Sequence, residues 1–302
     1  MSKRSVLPME SYRLAQYAVQ VPCYICEGGN SFDAELCRHC CAPMALAHQA
    51  NTQKVHPKMV AIVGSSGSGK TVYLGMLTDM LSRQSDRMQM LARGAFSITL
   101  QQATVGALVR SEFPEKTPNE ADRWCWMHCQ VQSPRFKKPI ELIVPDVAGE
   151  AILHEIDHPR SYPALRSFFS KCCGAMVLLD APQLETSEQS QDFFAMKILS
   201  YLCELDGDKK KGWPSRPVAF VLTKADQCEE SFNDPAHYAQ THSSGLWRLS
   251  QERLARRRFF ASGVAGACAY RSELGGRVQV PLRIEPRGII EPFEWLIDQV
   301  VR

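Results

Sequence analysis

Apolar runs of strand length recur from residue 58 onward: KMVAIV at 58–63, PIELIVPD at 139–146, CCGAMVLLD at 172–180 and PVAFVL at 217–222. Each is nearly continuous rather than alternating, which predicts strands buried on both faces, as in a parallel sheet. TVYLGMLTDMLSRQ, 71–84, instead sets Leu74, Leu77 and Leu81 on one stripe and predicts a helix. A further helix is expected around Thr99 and Thr104. Trp124-Cys125-Trp126-Met127-His128 alternates, predicting an antiparallel strand at the sheet edge. A sixth strand is expected within RRRFFASGVAG, 256–266, after a helix carrying Arg253, Arg256 and Arg257. EPFEWLIDQVVR, 291–302, reads as a final amphipathic helix packing on the sheet. Strands alternating with helices predict an α/β fold with a doubly wound, mainly parallel sheet.

Composition changes this picture little. At 302 residues the chain suits one large domain plus a small attachment. A 45% hydrophobic share supports a real core, and 22% charged residues is ordinary for a globular protein. A net charge of +3 does not argue for nucleic acid or an anionic membrane as partner. No apolar run approaches the ~20 residues of a membrane span. The first residues lack the apolar core of a secretory signal, so a cytoplasmic location is expected. GDKKKGWPSRP, 207–217, reads as a solvated loop.

Twelve cysteines without a secretory signal suggest reduced thiols rather than disulfides. Cys125, Cys129, Cys172 and Cys173 lie in apolar contexts and read as small core residues. Cys23, Cys26, Cys37 and Cys40 differ: they form two C-x2-C knuckles separated by ten residues, most of them polar or glycine. Each knuckle turns two thiolates toward one ion, and two knuckles complete a tetrahedron suited to one Zn²⁺. Four thiolates leave no open position, so the ion is expected to be structural. His39 and Cys41 are left over.

Between the first strand and its helix lies GSSGSGKT, matching G-x-x-x-x-G-K-[ST] over Gly64, Ser65, Ser66, Gly67, Ser68, Gly69, Lys70 and Thr71. The glycines let backbone N–H groups surround phosphates, and the helix start adds a favourable dipole. Lys70 is expected on the terminal phosphates and the Thr71 hydroxyl on Mg²⁺. PDVAG places Asp146 at a strand end near that ion, and the Gly149 amide near a γ-phosphate. Thr223-Lys224-Ala225-Asp226 closes another strand. The Asp226 carboxylate can accept from both N1 and N2 of guanine, whereas adenine offers no such donor pair. The Lys224 stem can lie along the base, and Ser262 and Gly263 supply backbone amides near O6.

These motifs, in this order, resemble the Ras-like P-loop GTPases of the translation-factor-related class over about residues 58–302. The zinc ribbon together with GKTVYLGML further resembles bacterial double-GTPase-type proteins of conflict systems. The resemblance implies GTP and GDP as ligands, with Mg²⁺, and two switch loops. It implies a threonine sensing the γ-phosphate through Mg²⁺; Thr117, in a proline-flanked loop, fits, whereas Thr99 and Thr104 fit worse. The second switch would begin at Gly149. Ras-like enzymes often have glutamine next; this chain has Glu150, and Ser66 replaces a frequent glycine. Both departures imply slow hydrolysis without a partner, such as another GTPase or an activating protein. A GTP-bound scaffold that uses the ribbon for assembly is the alternative.

The expected organisation is an N-terminal extension at 1–20, a zinc ribbon at 21–44, a linker at 45–57 and the P-loop GTPase domain at 58–302. One pattern competes: HEIDH, 154–158, matches the helical zinc-protease motif. Pro159 would end that helix at once and no third ligand is evident, so a polar switch face is the better reading.

Overall fold

The computed structural model describes residues 20–83, 87–186, 190–205, 212–273 and 276–301. Two short strands, β1 (Gln20–Pro22) and β2 (Gly29–Ser31), pair antiparallel at the ribbon. Helix α1 (Ala45–Gln53) leads to β3 (Lys58–Gly64) and α2 (Lys70–Arg83). Then come β4 (Gln89–Ala92), α3 (Ala95–Val109), β5 (Cys125–Gln132) and β6 (Ile140–Asp146). Helices α4 (Gly149–Asp157) and α5 (Pro163–Lys171) precede β7 (Cys172–Asp180) and α6 (Ser190–Leu205). Beyond β8 (Val218–Thr223) lie α7 (Pro235–His242), α8 (Ser244–Arg253) and β9 (Arg257–Ala261). Strands β10 (Gly263–Glu273) and β11 (Gly276–Arg287) and helix α9 (Ile290–Val301) complete the described chain.

The seven-stranded sheet runs β4-β5-β6-β3-β7-β8-β9. Its β6, β3, β7, β8 and β9 are parallel, and β5 and β4 add antiparallel. The continuous apolar run of β3 explains its central place: successive side chains point to opposite faces, so both must be covered. Met59, Ala61 and Val63 join one apolar cluster with Phe168, Phe169 and Phe194 of α5 and α6. Val60 and Ile62 join the other with Leu74, Leu77 and Leu81 of α2 and Phe293 and Leu296 of α9. The sheet is thus covered on both faces, and its parallel strands bring their carboxyl ends to one edge. The Tyr73 hydroxyl of α2 donates to the Ile289 carbonyl at 2.6 Å, fixing the start of α9 against the helix that follows the glycine loop.

Four expectations need correction. The segment 45–57 is not simply a linker, because α1 buries Leu46, Ala47 and Ala50. The alternating strand β5 is antiparallel but not at the edge, since β4 pairs along its outer side. Helix α8 stops at Arg253, so Arg256 and Arg257 lie outside it; Arg257 opens β9, and Arg256 donates to the Ser215 and Gln299 carbonyls. Within 207–217 Trp213 is fully buried, its indole donating to the Phe169 carbonyl at 3.1 Å. The extension at 1–19 and residues 206–211 lie outside the described residues. Cys129 and Cys172 are buried, and Cys125 and Cys173 half-buried. Among the described residues, no helix is long and apolar enough to cross a membrane.

Candidate functional site

The loop after β3 folds back on itself. Gly67 and Gly69 adopt positive φ (77° and 84°), a region that suits glycine. The buried Lys70 ammonium donates to the Gly64 and Ser65 carbonyls at 2.9 Å each. Burial lowers Lys70 to about 8, opposed by the nearby charges of Asp146 and Glu150. Ser65 donates from its hydroxyl to Gln191 of α6 at 2.9 Å, and Gln191 in turn donates to Gln183. Gly149 packs onto the same loop so closely that a β-carbon there would stand 2.5 Å from the Gly64 carbonyl oxygen and 2.6 Å from the Ser66 nitrogen. The turn that opens α4 therefore touches the loop backbone directly.

Three side-chain oxygens meet beside Lys70. Thr71 Oγ1 lies 2.9 Å from Thr117 Oγ1, and both hydroxyls donate to Asp146 Oδ2, at 2.9 and 3.0 Å. Octahedral Mg²⁺ at 2.0–2.1 Å places neighbouring ligand oxygens about 2.9 Å apart, so this oxygen set fits the ion. Burial raises the Asp146 carboxyl above its ordinary value, with the two hydroxyls and Lys70 opposing. Thr117 is thereby held to the loop, whereas Thr99 and Thr104 sit within α3. The Asn119 amide donates to Glu150 Oε2 at 2.9 Å, and this bond, with a second from Ser66, holds the Glu150 carboxyl below its ordinary value.

At the far end, Thr223 donates to the Ser68 and Leu179 carbonyls at 2.8 and 3.0 Å, tying β8 to the glycine loop. Lys224 takes a left-handed conformation (φ 55°) and pairs with the buried Asp180. Asp226 follows in a single 3₁₀ turn, and burial raises its carboxyl above the usual range. Gly263 lies against that carboxylate; a β-carbon there would clash with Asp226 Oδ1. Ser262 bonds through its backbone to Leu222 and Ala225.

One cavity of ≈ 470 Å³ joins these parts. Ser66, Gly67, Gly69, Lys70, Thr71, Thr117, Gly149, Glu150, Thr223, Lys224, Asp226, Ser262 and Gly263 line it. Gly64, Ser65, Ser68 and Asp146 stand behind that lining and fix it through the bonds above. Sequence reasoning missed Gln191, Asn119 and Asp180, which no motif marks. It also missed Val264, Cys268 and Gln279, which line the cavity from β10 and β11. A signal for the latter existed: apolar Val278, Val280, Leu282 and Ile284 alternate with Gln279, Arg283 and Glu285, a strand pattern.

Cys23, Cys26, Cys37 and Cys40 bring their sulfurs within 4.8 Å of one another. Sγ separations are 3.7 Å for Cys23–Cys40 and 3.5 Å for Cys26–Cys37. Tetrahedral Zn²⁺ with bonds of about 2.3 Å spaces its sulfurs about 3.8 Å apart, so the cluster fits that ion. Cys41 is exposed and outside the cluster. Cys23, Cys37, Cys40, Ile25 and Met44 share the apolar cluster of the sheet's first face, so the ribbon caps the large domain. HEIDH forms no zinc-protease centre. Glu155 is fully buried and accepts from the Arg160 and Tyr162 amides and the Tyr201 hydroxyl, while His154 and His158 face solvent.

Solved structures to which the chain is similar include the Arl6 small GTPase of Trypanosoma brucei, with a bound nucleotide analogue. It is 16% identical, with TM-score 0.42, covering 81% of this chain and 97% of that one. The Ski7 GTPase-like domain of S. cerevisiae, bound to GTP, is 17% identical, with TM-score 0.44, covering 81% and 50%. A GTP-binding protein of Sulfolobus solfataricus, in complex with GDP, is 13% identical, with TM-score 0.40, covering 85% and 56%. No curated protein matches the chain. The profile of the Double-GTPase 1 family matches residues 61–221, just over half of the 302. The chain is therefore a member of the Double-GTPase 1 family.

Proposed function

We propose that the protein is a guanine-nucleotide switch. It hydrolyses GTP to GDP slowly by itself, and a partner protein reads its two switch segments. The observation that carries this reading is the meeting of Thr71, Thr117 and Asp146 within 3.0 Å. Two of these residues belong to fixed elements, whereas Thr117 lies in a segment without regular structure. Mg²⁺, when bound there, supplies positive charge against the β- and γ-phosphates. Thr117 then holds the first segment inward while the γ-phosphate is present, and loss of that phosphate frees it. At the purine end Asp226 accepts from guanine.

Slow turnover follows from Glu150. Its carboxylate is ionised and held by Asn119 and Ser66. A weak base carrying negative charge beside the γ-phosphate activates water poorly. A partner that contributes a cation, another GTPase or an activating protein, would offset that charge. We place this work in the cytoplasm, where thiols stay reduced, and within a bacterial conflict system, as the resemblance implies. A GTP-bound scaffold is the second reading, favoured by the same Glu150 contacts.

Hydrogen exchange over residues 113–119 and 149–158 tests the switch. Protection with Mg²⁺ and a non-hydrolysable GTP analogue, lost with GDP and lost in Thr117→Ala, is the expected result. Equal protection in both states favours the scaffold. Asp226→Asn should weaken GTP binding about ten- to a hundred-fold and leave ATP binding as it was.

A further inference from the structure

Strands β10 and β11 form a hairpin that belongs to neither the central sheet nor the ribbon. It leaves the sheet at Gly263, beside Asp226, and its return strand ends at Arg287. A lone hairpin is marginally stable, so it needs something to lie on. Its root is fastened: Arg287 donates twice to the Glu229 carboxylate, at 3.0 and 3.1 Å, and sits 4.0 Å from the centre of the Phe232 ring. Farther out, Arg271 pairs with Glu112 at 3.6 Å, just before the segment that carries Thr117.

Between those two fastenings Val264, Cys268 and Gln279 line the nucleotide cavity. Register pairs Tyr270 with Gln279, so these two side chains share the face that meets the cavity. The half-buried Gln279 side-chain amide has no partner among the described residues. Tyr270, 69% exposed, stands beside it. With phosphates at Gly64–Thr71 and the purine at Asp226, the bound nucleoside would share this cavity with Val264, Cys268 and Gln279.

We propose that this hairpin is a lid that retains the nucleotide: Gln279 hydrogen-bonds the bound nucleoside, and the Arg271–Glu112 pair fastens the lid to the first switch segment. Release of either GTP or GDP then requires the hairpin to lift. This rests on reading the cavity as a guanine-nucleotide site.

The test loads the whole protein with fluorescent GDP, or a fluorescent non-hydrolysable GTP analogue, and follows release into excess unlabelled nucleotide. Gln279→Ala should speed release of both about five-fold, the value of one hydrogen bond; Gln279→Leu, which keeps the volume, should do the same. Arg271→Glu should also speed release, and the double variant Arg271→Glu with Glu112→Arg should return it toward the original rate. Unchanged release in both Gln279 variants and in Arg271→Glu overturns the lid and leaves the guanine reading standing. Failure of the unaltered protein to take up either nucleotide overturns both.

Discussion

The Asn119 amide reaches the Glu150 carboxylate at 2.9 Å, and so joins the segment that carries Thr117 to the turn that begins at Gly149. These two segments, the ones proposed as switches, are therefore joined by a side-chain bond as well as through the Thr117–Asp146 contact. Asn119→Ala should slow single-turnover hydrolysis by a few-fold, about the effect of one lost hydrogen bond, with GTP affinity little changed. Glu150→Gln keeps an oxygen for Asn119 and removes the charge, and should speed hydrolysis. Rapid-quench measurement on both variants decides this; a slower Glu150→Gln would contradict it.

Lys70 gives binding a pH dependence of definite sign. Burial holds it at about 8 in the free protein, well below the ~10.4 of an exposed lysine. The charged form is therefore penalised on folding at low pH, and the nucleotide-free protein should gain stability as pH rises from about 8 toward about 10.4, by at most a few kcal/mol. Phosphates reverse this by favouring the charged amine. Nucleotide binding at pH 9 should thus take up a proton, and affinity should fall between pH 7 and 9. Calorimetry at pH 9 in two buffers of different ionisation enthalpy measures the uptake; none would contradict the assignment.

Gly149→Ala tests the close approach of α4 to the glycine loop. The new carbon would press on backbone atoms of residues 64–66, which cannot yield as a flexible side chain can. Overpacking of this kind costs about 1–3 kcal/mol. GDP affinity should drop about ten-fold or more, with the fold retained by circular dichroism.

The ribbon should carry one Zn²⁺ per chain by elemental analysis. Cys37→Ser removes a ligand that is also a member of the main apolar cluster. It should destabilise the whole protein by about 4 kcal/mol or more, the range of metal-site losses. Cys41→Ser, at an exposed position outside the cluster, should melt with the unaltered protein.

Much of this architecture was legible in the chain because its signals are local. A glycine loop between an apolar run and a leucine stripe, or two paired-cysteine knuckles, require nothing from distant residues. What escaped depends on distant contacts. Gln191 reads as an ordinary polar helix residue until its bond to Ser65 across 126 positions is seen. Helix α1 looks polar because only Leu46, Ala47 and Ala50 meet the core. The strand β4 is four residues long, too short to declare a period. Arg256 and Arg257 continued a helical charge pattern, but Leu254 is buried and extended and ends the helix there. The alternation of the hairpin strands is present in the chain, but the Ser262-Gly263 motif at its start reads locally as a simple loop.

The tie between Tyr73 and Ile289 spans 216 positions. The helix that follows the glycine loop is therefore braced by a residue far along the chain from it, and the Asp226 end of the cavity is likewise walled by the distant Ser262 and Gly263. A fragment cut before residue 262 would keep the glycine loop and lose both that brace and the Ser262–Gly263 wall. The loop motif alone should therefore not suffice for binding: such a fragment should fail to retain guanine nucleotide.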